Sequence, residues 1–168
     1  MRIIGAVFII VGFGVVGYIQ STAARESANM LWQFLAAQEL MIRELEYRRT
    51  PLPELCTAVA DATVGPVSSF FRQLKEALCQ ETLSSVYACG NAALAACNDI
   101  ATPVKHYICM LLVTLGRFDI AGQVAEIQRI SAQTKIAYDD AIMNLKLKDK
   151  SNRMLWLGLG VAVAIILV

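Results

Sequence analysis

The sequence has little with which to ligate a metal or run acid–base chemistry. Its 168 residues include one histidine, His106, and its five cysteines form no Cys-x-x-Cys pair. Metal-ligand spacing is therefore absent. No Walker-type loop, H-E-x-x-H or G-x-S-x-G occurs, which removes the motif-bearing nucleotide, zinc-protease and serine-hydrolase classes. Hairpin dipeptides such as Asn-Gly are missing and no segment alternates for long, so nothing reads as a sheet. Charge is also scarce. Charged residues make up 17% of the chain, against about 25% in an average soluble domain. The net charge of +1 leaves no basic footprint for nucleic acid.

Hydrophobic residues are abundant, at 57%, and concentrate at the two ends. Ile3 to Ile19 is a run of 17 residues without a charge, and Met154 to Val168 is another of 15. The first contains Gly12, Gly14 and Gly17 in the order G-x-G-x-x-G. A dinucleotide site needs a strand, a tight turn, a helix and a second strand around such glycines. Here the apolar run continues through Val15, Val16, Tyr18 and Ile19, and Ala23 to Tyr47 reads as helix. The glycines fit a membrane helix, where small residues let neighbours approach. At about 1.5 Å per residue the runs span about 26 and 22 Å, against a hydrocarbon core of about 30 Å. Each fits with thinning or snorkelling. A signal peptide cleaved at "STAA" is an alternative for the first run, although its apolar region is longer than usual. The expected organisation is an N-terminal transmembrane segment over 1–20, a helical domain over 21–153 and a C-terminal transmembrane segment over 154–168.

Lys146, Lys148, Lys150 and Arg153 precede the last run. As membrane-surface anchors they place the middle of the chain in the cytoplasm. Cys56, Cys79, Cys89, Cys97 and Cys109 then read as reduced, small core residues.

Helix signals fill the middle. Leu31, Phe34, Leu35, Met41, Ile42 and Leu45 recur at spacings of three and four along a first helix that runs out of the membrane to Tyr47. Thr50 as N-cap and Pro51 at the first position start a second helix, reaching Ala62. A third runs from Val67 to Cys79, with Phe70, Phe71, Leu74 and Leu78. A fourth runs from Thr82 to Ala96, and its lone Gly90 weakens the pattern. Thr102 and Pro103 open a fifth, stopped by Gly116. Asp119 caps a sixth, with Ile120, Val124, Ile127, Ile130, Ala137, Ala141 and Leu145 on one side. The prediction is an all-α, membrane-anchored bundle of about six helices. Two long antiparallel stalk helices continue into the terminal segments, and four shorter ones pack between them.

Few constellations suggest chemistry. Asp139 and Asp140 are adjacent on a helix and diverge by about 100°, unlike a converging acid/base pair. His106 and Cys109 share a helical face without an activating third group, so the histidine reads as buried or half-buried. Gly158 with Ala162, Gly160 with Ala164 and Gly17 with Ser21 are small-residue pairs able to mate membrane helices.

Three motifs, in order, carry a resemblance: "ELEYRRTPLPEL" (Glu44 to Leu55), "LGRFDIAGQ" (Leu115 to Gln123) and "KSNRMLWLGLGVAVAIILV" at the end. Over its whole length the chain resembles the stage III sporulation protein AB family of endospore-forming bacteria. Glu44, Tyr47, Thr50, Pro51 and Leu52 match the first motif, and Leu115, Gly116, Asp119 and Gln123 the second. The cysteine-bearing "CGNAALAAC" departs from the family pattern. The resemblance implies a small membrane protein in the channel-like complex between mother cell and forespore. Its helical domain is expected to be similar to the secretion-system platform (type II secretion F-like) domain. It also implies partners: the other stage III sporulation A-operon membrane proteins and their secretion-type ATPase.

Helix junctions commonly use residues such as Thr50, Pro51, Gly116 and Asp119, so a structural role suffices for them. The functional reading is that both junctions meet at the membrane-distal end as a docking face, with Arg48, Arg49, Thr50, Arg117 and Asp119 at its rim. The expectation is a non-enzymatic scaffold in the mother-cell membrane around the forespore. Its helical domain would lie in the mother-cell cytoplasm, with no cofactor and no nucleic acid, and a homo-oligomer remains open. The alternative is a regulatory membrane protein or another membrane-anchored interaction module.

Overall fold

The structure, a computed structural model, describes residues 2–80, 85–115 and 119–167, with side chains described within 22–147. Among the described residues every regular element is helical: α1 (Arg2–Arg43), α2 (Leu52–Ala62), α3 (Gly65–Cys79), α4 (Val86–Ala96), α5 (Thr102–Thr114) and α6 (Ile120–Leu167). A π-helical turn, Glu44–Arg48, extends α1. The expected all-α architecture of six helices is what the described residues adopt. The chain divides into two compact units, Glu26–Tyr138 and a second formed by Met1–Arg25 with Asp139–Val168. Among the described residues no helix is long and apolar enough to cross a membrane. The segments expected to do so, 1–20 and 154–168, lie outside the residues whose side chains are described, as do the small-residue pairs within them.

In the unit Glu26–Tyr138, α1 and α6 run antiparallel. Trp32 meets Tyr138 with ring centroids 5.6 Å apart, and Gln38 Nε2 donates to Thr134 Oγ1 at 3.4 Å. Advancing along α1 thus means retreating along α6. The stripe on α1 buries as its spacing requires: Leu31, Phe34, Leu35, Met41 and Leu45 are in the core, joined by Ala28, Ala37 and Gln38, and Ile42 is half-buried. Opposite lie Val124, Ile127, Ile130 and Thr134. Ile120, expected on that stripe, is instead 38% exposed, because it sits in the first turn beyond the reach of the core.

The short helices pack in sequence, α2 on α3, α3 on α4 and α4 on α5. Phe70 and Phe71 meet edge to face at 5.1 Å beneath α2, and Ser68 Oγ donates to Ala60 O at 2.6 Å across the α2–α3 turn. Gly65 makes that turn with a φ of +67°. The start of α5 reaches α1, where the Ala101 N–H donates to Met30 Sδ at 3.4 Å. Gly90, a weak point by helix propensity, proves to be the contact between α4 and α5. A Cβ there would lie 2.2 Å from Leu112 Cδ2, and Leu112 is buried.

In the second unit, Asp139 and Asp140 are exposed, as a solvated face requires. Met143 and Leu147 are exposed apolar residues at 62% and 55%, with the exposed Lys146 between them.

Three local expectations need correction. Thr50 is not the N-cap of α2; Pro51 is, with φ −58° and ψ 148° and no side-chain cap. Two prolines, at 51 and 53, shift the helix start by one residue, because each is tolerated only at or before the first turn. Thr102 likewise is the first residue of α5, and Ala101 its cap. The third concerns α4, which is capped by Ser85, whose Oγ accepts from the Ala88 N–H at 3.2 Å. The expected start at Thr82 lies outside the described residues.

Candidate functional site

The first family motif sits where α1 ends. The helix widens into the π turn over Glu44–Arg48 and stops at Arg49, which adopts the left-handed conformation (φ 51°, ψ 40°). Such a backbone is uncommon for a residue with a Cβ and persists only where its surroundings over-determine it. Glu44 supplies that determination. Its main-chain carbonyl accepts from the N–H of Arg49 and, at 3.4 Å, from the N–H of Thr50. Its carboxylate accepts the Thr50 hydroxyl at 2.8 Å through Oε2 and lies 3.3 Å from Arg48 Nη1 through Oε1. Glu44 is half-buried and Arg48 mostly exposed. Pro51 and the half-buried Leu52 then start α2. Tyr47 projects from the π turn and is 82% exposed, although it is a large aromatic with apolar area to bury.

The second motif sits where α6 begins. Leu115, buried, ends α5. Asp119 caps α6 as expected: its Oδ1 accepts from the Gly122 N–H at 3.2 Å and its main-chain oxygen from the Gln123 N–H at 2.9 Å. A carboxylate there also complements the helix dipole. Gly116 and Arg117, expected as the helix stop and part of the rim, lie outside the described residues.

The antiparallel pairing of α1 with α6 brings these two junctions together. They share one depression of about 750 Å³, lined by Glu46, Arg49, Asp119, Ile120, Ala121, Val124, Ala125 and Gln128. Its floor is small and apolar, and its rim carries both signs of charge. Neither Glu46 nor Arg49 makes an ion pair among the described residues. Of the expected docking residues, Arg49 and Asp119 line the depression. Arg48 and Thr50 do not; both are tied to Glu44. Sequence reading missed Glu46, Ile120 and Gln128. Ile120 carried no sequence signal, because by spacing it continues the core stripe of α6 and its exposure shows only in the fold.

Lys146 is exposed on α6; Lys148, Lys150 and Arg153 also lie on α6, but their side chains are outside the described residues. His106 is exposed rather than buried, and its ring meets Tyr107 at 5.4 Å. The cysteines are free thiols. Cys56, Cys89 and Cys97 are buried as expected and Cys109 is half-buried, but Cys79 is exposed at the end of α3. Burial, with a smaller contribution from the charge of Cys79, pushes the Cys56 thiol up to about 12. Burial also raises that of Cys97. Neither environment favours a reactive thiolate. Arg129 donates to both carboxylate oxygens of Glu126, which lowers the carboxyl and raises the guanidinium on an exposed face.

No curated protein matches the sequence significantly. A solved structure of a stage III sporulation protein AB resembles this fold with a TM-score of 0.63 at 20% identity, over 72% of this chain and 97% of that one. The family model for stage III sporulation protein AB matches residues 2–168. With both motif-bearing junctions inside that match, the chain belongs to the stage III sporulation protein AB family.

Proposed function

We propose that this chain is a non-enzymatic membrane platform in the sporulation complex between mother cell and forespore. In this reading the two apolar ends lodge in the mother-cell membrane. The helical domain faces the mother-cell cytoplasm and docks the complex's secretion-type ATPase. The observation that carries the docking claim is the convergence of two helix junctions, more than 60 residues apart in sequence, on one depression with an apolar floor and a charged rim. Exposed aromatic and arginine side chains are the residue types that protein interfaces favour over ordinary surface. Tyr47 and Arg49 are such residues, both at the end of α1.

A photo-crosslinking residue placed at Arg49 in sporulating cells tests it. The expected product is a covalent adduct with the ATPase, and the same residue at the exposed Arg72 on α3 gives none. Adducts from position 49 with lipid alone, or no adduct, remove the docking face.

A further inference from the structure

We infer that the last turns of α6 before the C-terminal apolar run form a binding segment for anionic phospholipid headgroups. The inference rests on the membrane reading above and adds a lipid selectivity to it. Three observations carry it. Lys146, Lys148, Lys150 and Arg153 lie within eight residues, with only Asp149 opposing them. The helix is unbroken from Ile120 to Leu167, so these residues keep a fixed axial distance from the apolar run. Finally, Met143 and Leu147 are 62% and 55% exposed on the same helix at a spacing of four residues.

The geometry follows from the helical rise. Arg153 directly precedes Met154, and Lys146 stands eight residues before it, about 12 Å along the axis. A run that enters the hydrocarbon near Met154 sets all four cations in the headgroup layer or within about one Debye length of it. Four cations against one anion give this stretch a charge of +3. A basic cluster immediately cytoplasmic of a membrane segment attracts anionic lipid, at about 1 kcal/mol per residue, or roughly fivefold. Exposed Met143 and Leu147 add apolar area beside the exposed Lys146, the amphipathic combination that interfacial segments use.

The test reconstitutes the full chain in nanodiscs of equal phosphatidylglycerol and phosphatidylcholine. Native mass spectrometry then counts the lipids of each kind retained. Wild type is expected to retain phosphatidylglycerol roughly fivefold over phosphatidylcholine, the preference of each cationic residue. The variant K146Q/K148Q/K150Q/R153Q falls to about equal retention, and K146R/K148R/K150R keeps the excess. Inorganic phosphate at millimolar concentration leaves the excess unchanged if the lipid surface, rather than free phosphate, is the ligand; competition by it overturns the lipid assignment. Circular dichroism checks that each variant keeps its helix content. A chain that inserts but retains both lipids equally, or a glutamine variant that keeps the excess, overturns the selectivity alone. A chain that stays outside the discs overturns the membrane reading with it.

Discussion

Thr50 and Glu44 are joined by a 2.8 Å hydrogen bond that closes the chain around a left-handed Arg49. They are six positions apart, a spacing set by the π turn rather than by an α-helix. The bond is charge-assisted and half-buried, which makes it worth more than a neutral surface contact. Thr50→Val keeps the shape and deletes the donor. It is expected to lower the unfolding free energy by about 1–2 kcal/mol, measured by urea titration. Arg48→Ala removes only an exposed ion pair with the same carboxylate and costs less than about 1 kcal/mol. Equal stabilities for Thr50→Val and wild type would show that Glu44 does not hold the turn.

Gly90 makes a second prediction. Alanine is the better helix former by about 1 kcal/mol. At this position its Cβ would lie 2.2 and 2.4 Å from the two methyl carbons of Leu112, which is 1% exposed and must shift within the core to make room. Overpacking costs about 1–3 kcal/mol and propensity offsets about 1, so Gly90→Ala should destabilise by up to about 2 kcal/mol. Pairing it with Leu112→Ala makes room for the new methyl, and a double-mutant cycle should show a coupling of about 1 kcal/mol or more. Additive losses would mean that the two helices do not meet there.

Gln38 is fully buried between α1 and α6, yet among the described residues its Oε1 has no hydrogen-bond partner and its Nε2 reaches Thr134 only at 3.4 Å. An unsatisfied buried acceptor costs about 1–3 kcal/mol. Thr134 does not depend on the amide, since its hydroxyl also donates to Ile130 O at 2.9 Å. Gln38→Met, close in volume, is thus expected to raise stability by about 1 kcal/mol, read as a higher thermal midpoint. A lower midpoint would mean that the amide contributes more than its geometry suggests.

These residues also mark how far the sequence was legible. Phe34, Met41, Phe70 and Leu74 were found by spacing alone, because a helix of fixed period turns spacing into a buried face. Asp119 was found as a cap because capping is local, made with residues three and four positions on. Thr50 misled because its partner is six residues back across a turn that no periodicity announces. Gln38 was passed over because polar residues are ordinarily outside. The depression was beyond reach residue by residue: Glu46 and Gln128 meet only once α1 and α6 choose their register. The exposure of Cys79 was legible in the α3 stripe, since it stands five residues past Leu74, about 140° off the buried face; residue type alone had placed it in the core.

The thiol of Cys56 gives a pH dependence. Its ordinary value of 9.0 is raised to about 12 in the folded chain, by burial first and the Cys79 charge second. Unfolding exposes the thiol, which then loses its proton above about pH 9 while the native form keeps it. Above that point the native state binds more protons than the unfolded one, so stability falls as pH rises. The window runs from 9 to about 12, with a slope approaching about 1.4 kcal/mol per pH unit. Below pH 9 the contribution is fully present. Cys56→Ala should flatten this part of a stability profile measured from pH 8 to 10.5, whatever it costs in packing. A slope that survives the substitution would assign the alkaline loss to another group.

Arg49 sets stability against docking. At φ 51° an arginine carries a steric penalty that glycine lacks. Arg49→Gly should therefore stabilise the domain, though by less than about 1–2 kcal/mol, because glycine also gives the unfolded chain more freedom. The same change strips the only cation from the described rim of the depression. If that rim docks the ATPase, the more stable variant should capture less of it from sporulating cells and lower the yield of spores. Arg49→Lys, which keeps both the charge and the strain, should resemble wild type in stability and retain most of the capture. A variant that is stabilised and still sporulates fully would leave Arg49 as a residue of the turn alone, and the docking face would have to be sought away from the two junctions.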